Sequence, residues 1–402
     1  MPRLLTHLTL IAVVAFGLFS SRSAHAANRP CSDFTNALVI ESGDTQEPLL
    51  KTLGQELRNS ATPMQVLYLL TGTCTVAKDL MTGKVMAENA TLSYIPSTGE
   101  DPTWNPSKAT PQCTVDAAGG LPVQLGIGAT FLTSCSLPVP TVTTVQFVGP
   151  NQGYSFVVPK ASDEIALTAE EGYFVYGYGA ADQLTPWNDE SYMFTRTTTK
   201  STALTLSSVV ALPVGKLKGV PYDQSSQVLN SVATSTDPEK TIGMLGTEIY
   251  DANRDKVTLL AFRAFKQNYA YFPDSSQTSF DKRNLRDGHY IPWAPTIYVG
   301  PVDGENNLIG NAKTFYELVT GVQTFPDVDG LPAAISVGLI PSCAMHVTRS
   351  ADGADLSRYT PATPCDCYFE KNVANGSTSC TACTDDGPCS GGKCHYGYCE
   401  AY

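Results

Sequence analysis

The pattern that most limits how this chain can fold is a short apolar run ending in a turn of glycine and hydroxyl residues, which occurs three times near its start. In the first, "ALVI" leads into "SGDTQEPLLKTLGQEL", where Leu49, Leu50, Leu53 and Leu57 recur at the spacing of one helical face. The second is "MQVLYLL", followed by "TGTCT" and the predicted helix "VAKDLM"; the third is "VQLGIG" leading into "ATFLTSC". Strands alternating with helices predict a parallel sheet with both faces covered. Such sheets bind ligands at the carboxyl ends of their strands. A turn that opens a helix also presents unpaired N–H groups and the positive end of the macrodipole, which suits an anion. For the first turn alone a plain cap by Asp44 or Thr45 is the commoner explanation; three converging turns favour a site.

From Gln146 the text changes. "ALTAEEGYFVYGYGA" places Thr168 and Glu171 at the spacing of a capping box. "YMF" reads as a strand and Ala203 to Leu212 as a helix, and "TRTTTKST" between them is a fourth hydroxyl-rich turn, carrying Arg196 and Lys200. "SSQVLNSVATS", "IGMLG" and "KVTLLAF" extend this second lobe, after which "APTIYVGPV" and "AKTFYELVTGV" return to the first. The expected division is a first lobe over about 37–145 and 270–350 and a second over about 146–269.

Residues 1–26 have the charged, apolar and A-x-A parts of a secretory signal peptide, with cleavage expected after Ala26. No later run is long enough to span a bilayer, and "NRP" before Cys31 lacks the residues of a lipid-attachment site. The chain is thus expected to be exported, to the periplasm or the cell surface, without direct membrane insertion. Losing Arg3 and Arg22 with the leader takes the net charge from −12 to −14, which argues against nucleic acid as a partner. Twelve cysteines in an exported chain read as disulfides. Cys31, Cys74, Cys113 and Cys135 are expected to pair among themselves, and Cys343, Cys365, Cys367, Cys380, Cys383, Cys389, Cys394 and Cys399 to staple a Cys-rich module over residues 351–402. That segment has few aliphatic residues and cannot fold by burial alone.

Residues 37–345 resemble the type 2 periplasmic solute-binding proteins, in particular the phosphate-binding proteins of ABC importers. The resemblance rests on "SGDTQEPLL", "YLLTGTCTVAKDL", "GIGATFL" and, most specifically, "WNDESYMFTRTTTKSTA", with Trp187, Asn188 and Asp189 before the strand, Arg196 at its end, and then Thr199, Ser201 and Thr202. It implies a two-lobed α/β body with a small disulfide-rich C-terminal module, closing like a hinge on a small oxyanion such as phosphate, and an ABC permease as partner. Carried over by position, it nominates Thr45, Thr71, Thr73, Arg196, Ser201 and Thr202 as ligand contacts. A guanidinium matches a tetrahedral oxyanion bidentately. The chain departs from the pattern where the family carries an aspartate after the third strand, since Thr130 or Phe131 stands there, and it has Cys74 in the second turn. Poor discrimination between phosphate and sulfate follows from that departure.

An enzyme is the first competing class. After the leader only His289, His346 and His395 remain, and G-x-S-x-G, H-E-x-x-H and P-loop motifs are absent. No cofactor or metal is expected: "DVDG" lacks the further ligands of a calcium loop, and "CTAC" in an exported chain reads as disulfides rather than zinc. The second competing class is a cell-surface interaction protein that keeps the binding-protein scaffold and uses its tail to hold a macromolecule.

Overall fold

The computed structural model describes residues 29–181, 184–325 and 327–400, so the leader expected over 1–26 lies outside the described residues. The chain forms a mixed α/β body of two lobes. In the first lobe Ala37–Gly43 lies parallel between Gln65–Thr71 and Leu125–Gly128. Side chains on a strand alternate between faces. Leu38 and Ile40 accordingly pack under the helix Glu47–Asn59, whose Leu49, Leu50, Leu53 and Leu57 are all buried, while Val39 faces Val76 and Leu80 of the helix Thr73–Met81.

The second lobe repeats the plan with Met193–Arg196 parallel to both Val220–Tyr222 and Ile242–Gly246. One strand joins the lobes. Thr144–Pro159 is 16 residues long, and its positions up to Gly153 pair with Trp293–Pro301, whereas Tyr154 to Val157 pair with Ile242–Gly246. The crossing is a shared antiparallel pair, with a register shift between Pro295 and Ile297.

Two boundaries differ from expectation. The chain does not return to the first lobe at about 270, because Leu285 and Tyr290 are buried with Phe156 and Phe262 in the second-lobe core and Asp274 is paired with Lys282 and Arg254 there. The return comes at Trp293. The helix expected from Ala203 to Leu212 runs Ser201–Val209, since the hydroxyl residues after extended Lys200 already take helical geometry and Ala211, at φ 54°, is left-handed.

Six disulfides are present, and no bridge joins the first four cysteines to the last eight. Cys31–Cys113 holds the outer edge of the first sheet, and Cys74–Cys135 ties the start of a helix to the turn after the third strand. Cys343–Cys365 anchors the tail, with Cys367–Cys380, Cys383–Cys394 and Cys389–Cys399 beyond it. The tail is more than a stapled loop. Its helix Asp366–Asn372 inserts Phe369 into the second-lobe core beside Ile335 and Met345, and Asp366 binds both Arg286 and His346 Nε2, the latter at 2.8 Å. Phe369→Ala should therefore cost about 3–5 kcal/mol of second-lobe stability, the usual penalty for emptying a buried aromatic site. Urea unfolding followed by second-lobe tryptophan fluorescence checks this, and an unchanged midpoint would mean that the tail folds apart from the body.

Candidate functional site

The turn that opens the first helix does not cap it with a side chain. After Gly43 the chain makes a single tight turn, Asp44–Gln46, closed by the Glu47 N–H donating to the Asp44 carbonyl, and no side-chain capping bond is made by Asp44 or Thr45. Asp44 instead crosses to the other lobe. Its carboxylate accepts from Arg196 Nη2 at 2.8 Å and from the Ser225 N–H at 2.9 Å. Arg196 is almost fully buried and also donates to the carbonyls of Tyr222 at 3.1 Å and Asp223 at 2.8 Å and to the Ser225 hydroxyl. Burial pushes the Asp44 carboxyl up, but the guanidinium and the Ser225 donor outweigh it and hold the pKa below the ordinary aspartate value.

Other groups cross the same divide. Lys200 Nζ donates to the Thr71 carbonyl at 2.6 Å, and the Cys74 N–H donates to the Thr199 carbonyl at 3.2 Å. The backbones approach so closely that a Cβ at Gly72 would lie 3.0 Å from both Thr199 oxygens. Tyr154 donates its hydroxyl to the Ala129 carbonyl at 2.6 Å, and the Ala129 N–H in turn donates to Thr73 Oγ1 at 3.2 Å. Ser201 and Thr205 lie against that same Tyr154 hydroxyl. The structure therefore brings Thr45, Thr73, Arg196, Ser201 and Thr202 to facing turns of the two lobes, all of them buried. Thr71 is the exception. Its hydroxyl donates to Glu41 Oε1 at 2.8 Å inside the first lobe, and its carbonyl accepts from Lys200 across the divide.

Two hydroxyls of this group, Thr45 Oγ1 and Thr202 Oγ1, are buried with no partner among the described residues, as is Thr205 Oγ1. Leaving such a group unsatisfied costs about 1–3 kcal/mol. Deeper in, Gln46 donates to Gln152 at 3.0 Å and Gln152 donates to Glu248 Oε2, while Glu248 Oε1 has no partner. Burial pushes the Glu248 carboxyl up to about 8, with Asp44 and Asp251 adding to the rise, so this side chain carries a proton at neutral pH.

In the sequence Asp44 has only the signal of a cap and Lys200 only its place beside Arg196 in the fourth turn, and nothing local marks Glu248 or Tyr154. The clearest omission is Asp352. Its carboxylate accepts from the hydroxyls of Thr130 and Ser134, both at 2.5 Å, so the turn after the third strand has an aspartate after all, delivered from a segment more than two hundred positions away. Burial raises its pKa against the opposing pull of those hydroxyls and Arg349. An aspartate therefore stands beside the turn where the sequence places only Thr130 and Phe131.

No family model matches the chain, and no curated protein does. Among solved structures it is similar to a putative phosphate ABC transporter substrate-binding protein with bound phosphate from Clostridium perfringens, at 12% identity and a TM-score of 0.50, covering 76% of this chain and 99% of that one. It is also similar to an ABC-type phosphate transport receptor from Vibrio cholerae, at 13% identity and a TM-score of 0.44, covering 75% and 99%. At such identity the likeness, carried by the first of these, shows the fold alone: the chain has the two-lobed type 2 periplasmic binding protein fold with a disulfide-rich C-terminal addition.

Glu248 gives this site a pH dependence. Its folded pKa lies above that of an unfolded glutamate, so the native state holds a proton that the unfolded chain releases; stability is full below the ordinary glutamate range and falls as the pH rises towards about 8. The melting temperature of the parent should drop by a few degrees between pH 5 and 8.5, and Glu248→Gln, which keeps an acceptor for Gln152, should flatten that fall. Parallel curves for the two proteins would show that Glu248 is already ionised.

Proposed function

We propose that the protein is an exported solute-binding protein that captures phosphate or a related oxyanion between its lobes and delivers it to an ABC permease. The observation that carries this reading is the pair of partnerless buried hydroxyls, Thr45 and Thr202, at helix starts on opposite lobes, with Thr73 and Ser201 beside them and Arg196 within the same network. Donors of this kind hold an oxyanion without a net positive charge, as an acidic chain requires. Asp44 sets the terms of binding. It orients the Arg196 fork and competes for it, so a guest either shares the guanidinium or displaces the carboxylate. Asp352 at the third turn is the group positioned to sense whether the guest carries a proton.

A second reading is favoured by one observation: the lobes are already bridged by the protein's own groups, Asp44 to Arg196 and Lys200 to Thr71. A scaffold locked in this way can serve as a rigid cell-surface interaction body. Calorimetry separates the two. Asp44→Asn should tighten phosphate binding at least tenfold by removing the competing charge, and Arg196→Lys should weaken it at least tenfold because an ammonium loses the planar fork. Arg196→Ala is a poorer test, since stranding buried Asp44 costs about 3–5 kcal/mol of stability by itself. If the parent binds no phosphate, sulfate or phosphate ester at millimolar concentration, the transport reading falls and the interaction reading replaces it.

A further inference from the structure

A cavity of about 430 Å³ opens beside the cross-lobe network, and Asp44 and Glu248 belong to both. Four parts of the molecule build it: the first-lobe helix around Glu47 to Thr52, the second-lobe segment Glu248 to Ala252 with Phe280 and Lys282, the end of the helix Gly330–Ser336 with Val337 and Gly338, and the tail helix with the residues after it. A bare tetrahedral oxyanion would fill only a small part of this space; cavities of roughly 300–1,000 Å³ are the size that holds organic ligands. The walls are largely apolar, formed by Ile249, Phe280, Ile335, Val337, Phe369 and Val373.

The charges that line it are already matched. Glu47 pairs with Lys51 at 3.1 Å and Asp251 with Lys282 at 2.7 Å, so the walls offer no free cation to a second anionic group. Among the described residues that line it, one fully buried side-chain polar atom, Glu248 Oε1, has no partner. Its carboxyl stands within the electrostatic reach of both Asp44, the partner of Arg196, and Tyr154, whose hydroxyl lies beside Ser201. A second hollow of about 340 Å³ shares Asp44, Glu47 and Ile249 with the first and is more polar, since Lys200, Asp223, Gln224, Ser225 and Ser226 line it and the apolar residues of the tail do not.

We propose that the guest is not a free inorganic oxyanion but one bearing an uncharged, apolar substituent about the size of a phenyl ring, such as a phosphate monoester, with the substituent seated in the cavity that the tail helps to form. The proposal rests on the oxyanion reading above and deepens it: the hydroxyl turns take the anionic head, the buried Glu248 carboxyl with its partnerless Oε1 contacts the joint between head and substituent, and the tail supplies the far wall. The Cys-rich addition thereby becomes part of the specificity of the protein.

Calorimetry on the full mature chain with inorganic phosphate and with phenyl phosphate tests this. Phenyl phosphate should bind at least tenfold more tightly than phosphate, or bind alone. In Ala252→Trp and Ala374→Trp, which fill the cavity from exposed rim positions, that preference should fall towards unity with phosphate affinity unchanged. Equal or tighter binding of phosphate by the parent overturns the proposal and leaves the oxyanion reading standing. A preference that survives both tryptophan variants overturns the placement of the substituent, and binding of neither compound overturns the proposal, with the oxyanion reading falling as well if sulfate also fails to bind.

Discussion

A guanidinium taken out of water has to be met by acceptors on every side, and much of this molecule is arranged around that requirement at Arg196. Two carbonyls and a hydroxyl come from its own lobe, but the compensating charge comes from the other lobe, through Asp44. That demand explains why the first turn does not use Asp44 as a cap, why the turn tightens before the helix begins, and why the turn residues of both lobes are buried. It also links the lobes across the divide between their facing turns. The shared strand Thr144–Pro159 lets the lobes belong to one sheet, and the Asp44–Arg196 pair determines how closely their faces meet.

The parts of the fold written in local pattern were legible. Leucine spacing in Glu47–Asn59, the Thr168–Glu171 capping box and the apolar runs of the parallel strands all correspond to the elements found. Local signals are strong there because burial on one face dictates the period. The lobe boundary near Trp293 was not legible, because residues 270–292 hold few regular elements and belong to the second lobe through long-range contacts such as Leu285 and Tyr290. Within the candidate site, Arg196, Ser201 and Thr202 were nominated by the family resemblance, which carries them over by position at the end of a strand and the start of the next helix. The direction of the Thr71 hydroxyl could not, because it depends on Glu41 in the neighbouring strand, and the charge state of Glu248 depends on burial that only the assembled lobes create.

The composition of the last fifty residues suggests an appendage, and the contacts show a brace. Phe369 completes a core, Asp366 and His346 join the tail to the second lobe, and a Cβ at Gly353 would sit 3.6 Å from Ser208 in the second-lobe helix while its neighbour Asp352 holds the third turn of the first lobe. The short stretch around Asp352 therefore touches both lobes before the cysteine-rich part begins.

This placement bears on how such a protein could have acquired its tail. A cassette added by simple gene fusion would leave the older body self-sufficient, with its polar turns and core closed before the junction. Here the junction at Ser350 falls between Arg349, stacked 4.0 Å over Trp293, and Asp352, which satisfies Thr130 and Ser134. A body ending at that composition break would expose an aromatic cavity in one lobe and two deprived hydroxyls in the other. Body and tail are thus not interchangeable parts: substitutions at Thr130, Ser134 or the Phe369 socket would constrain the tail, and a tail taken from another protein would fit only if it brought an equivalent carboxylate and aromatic ring to those places.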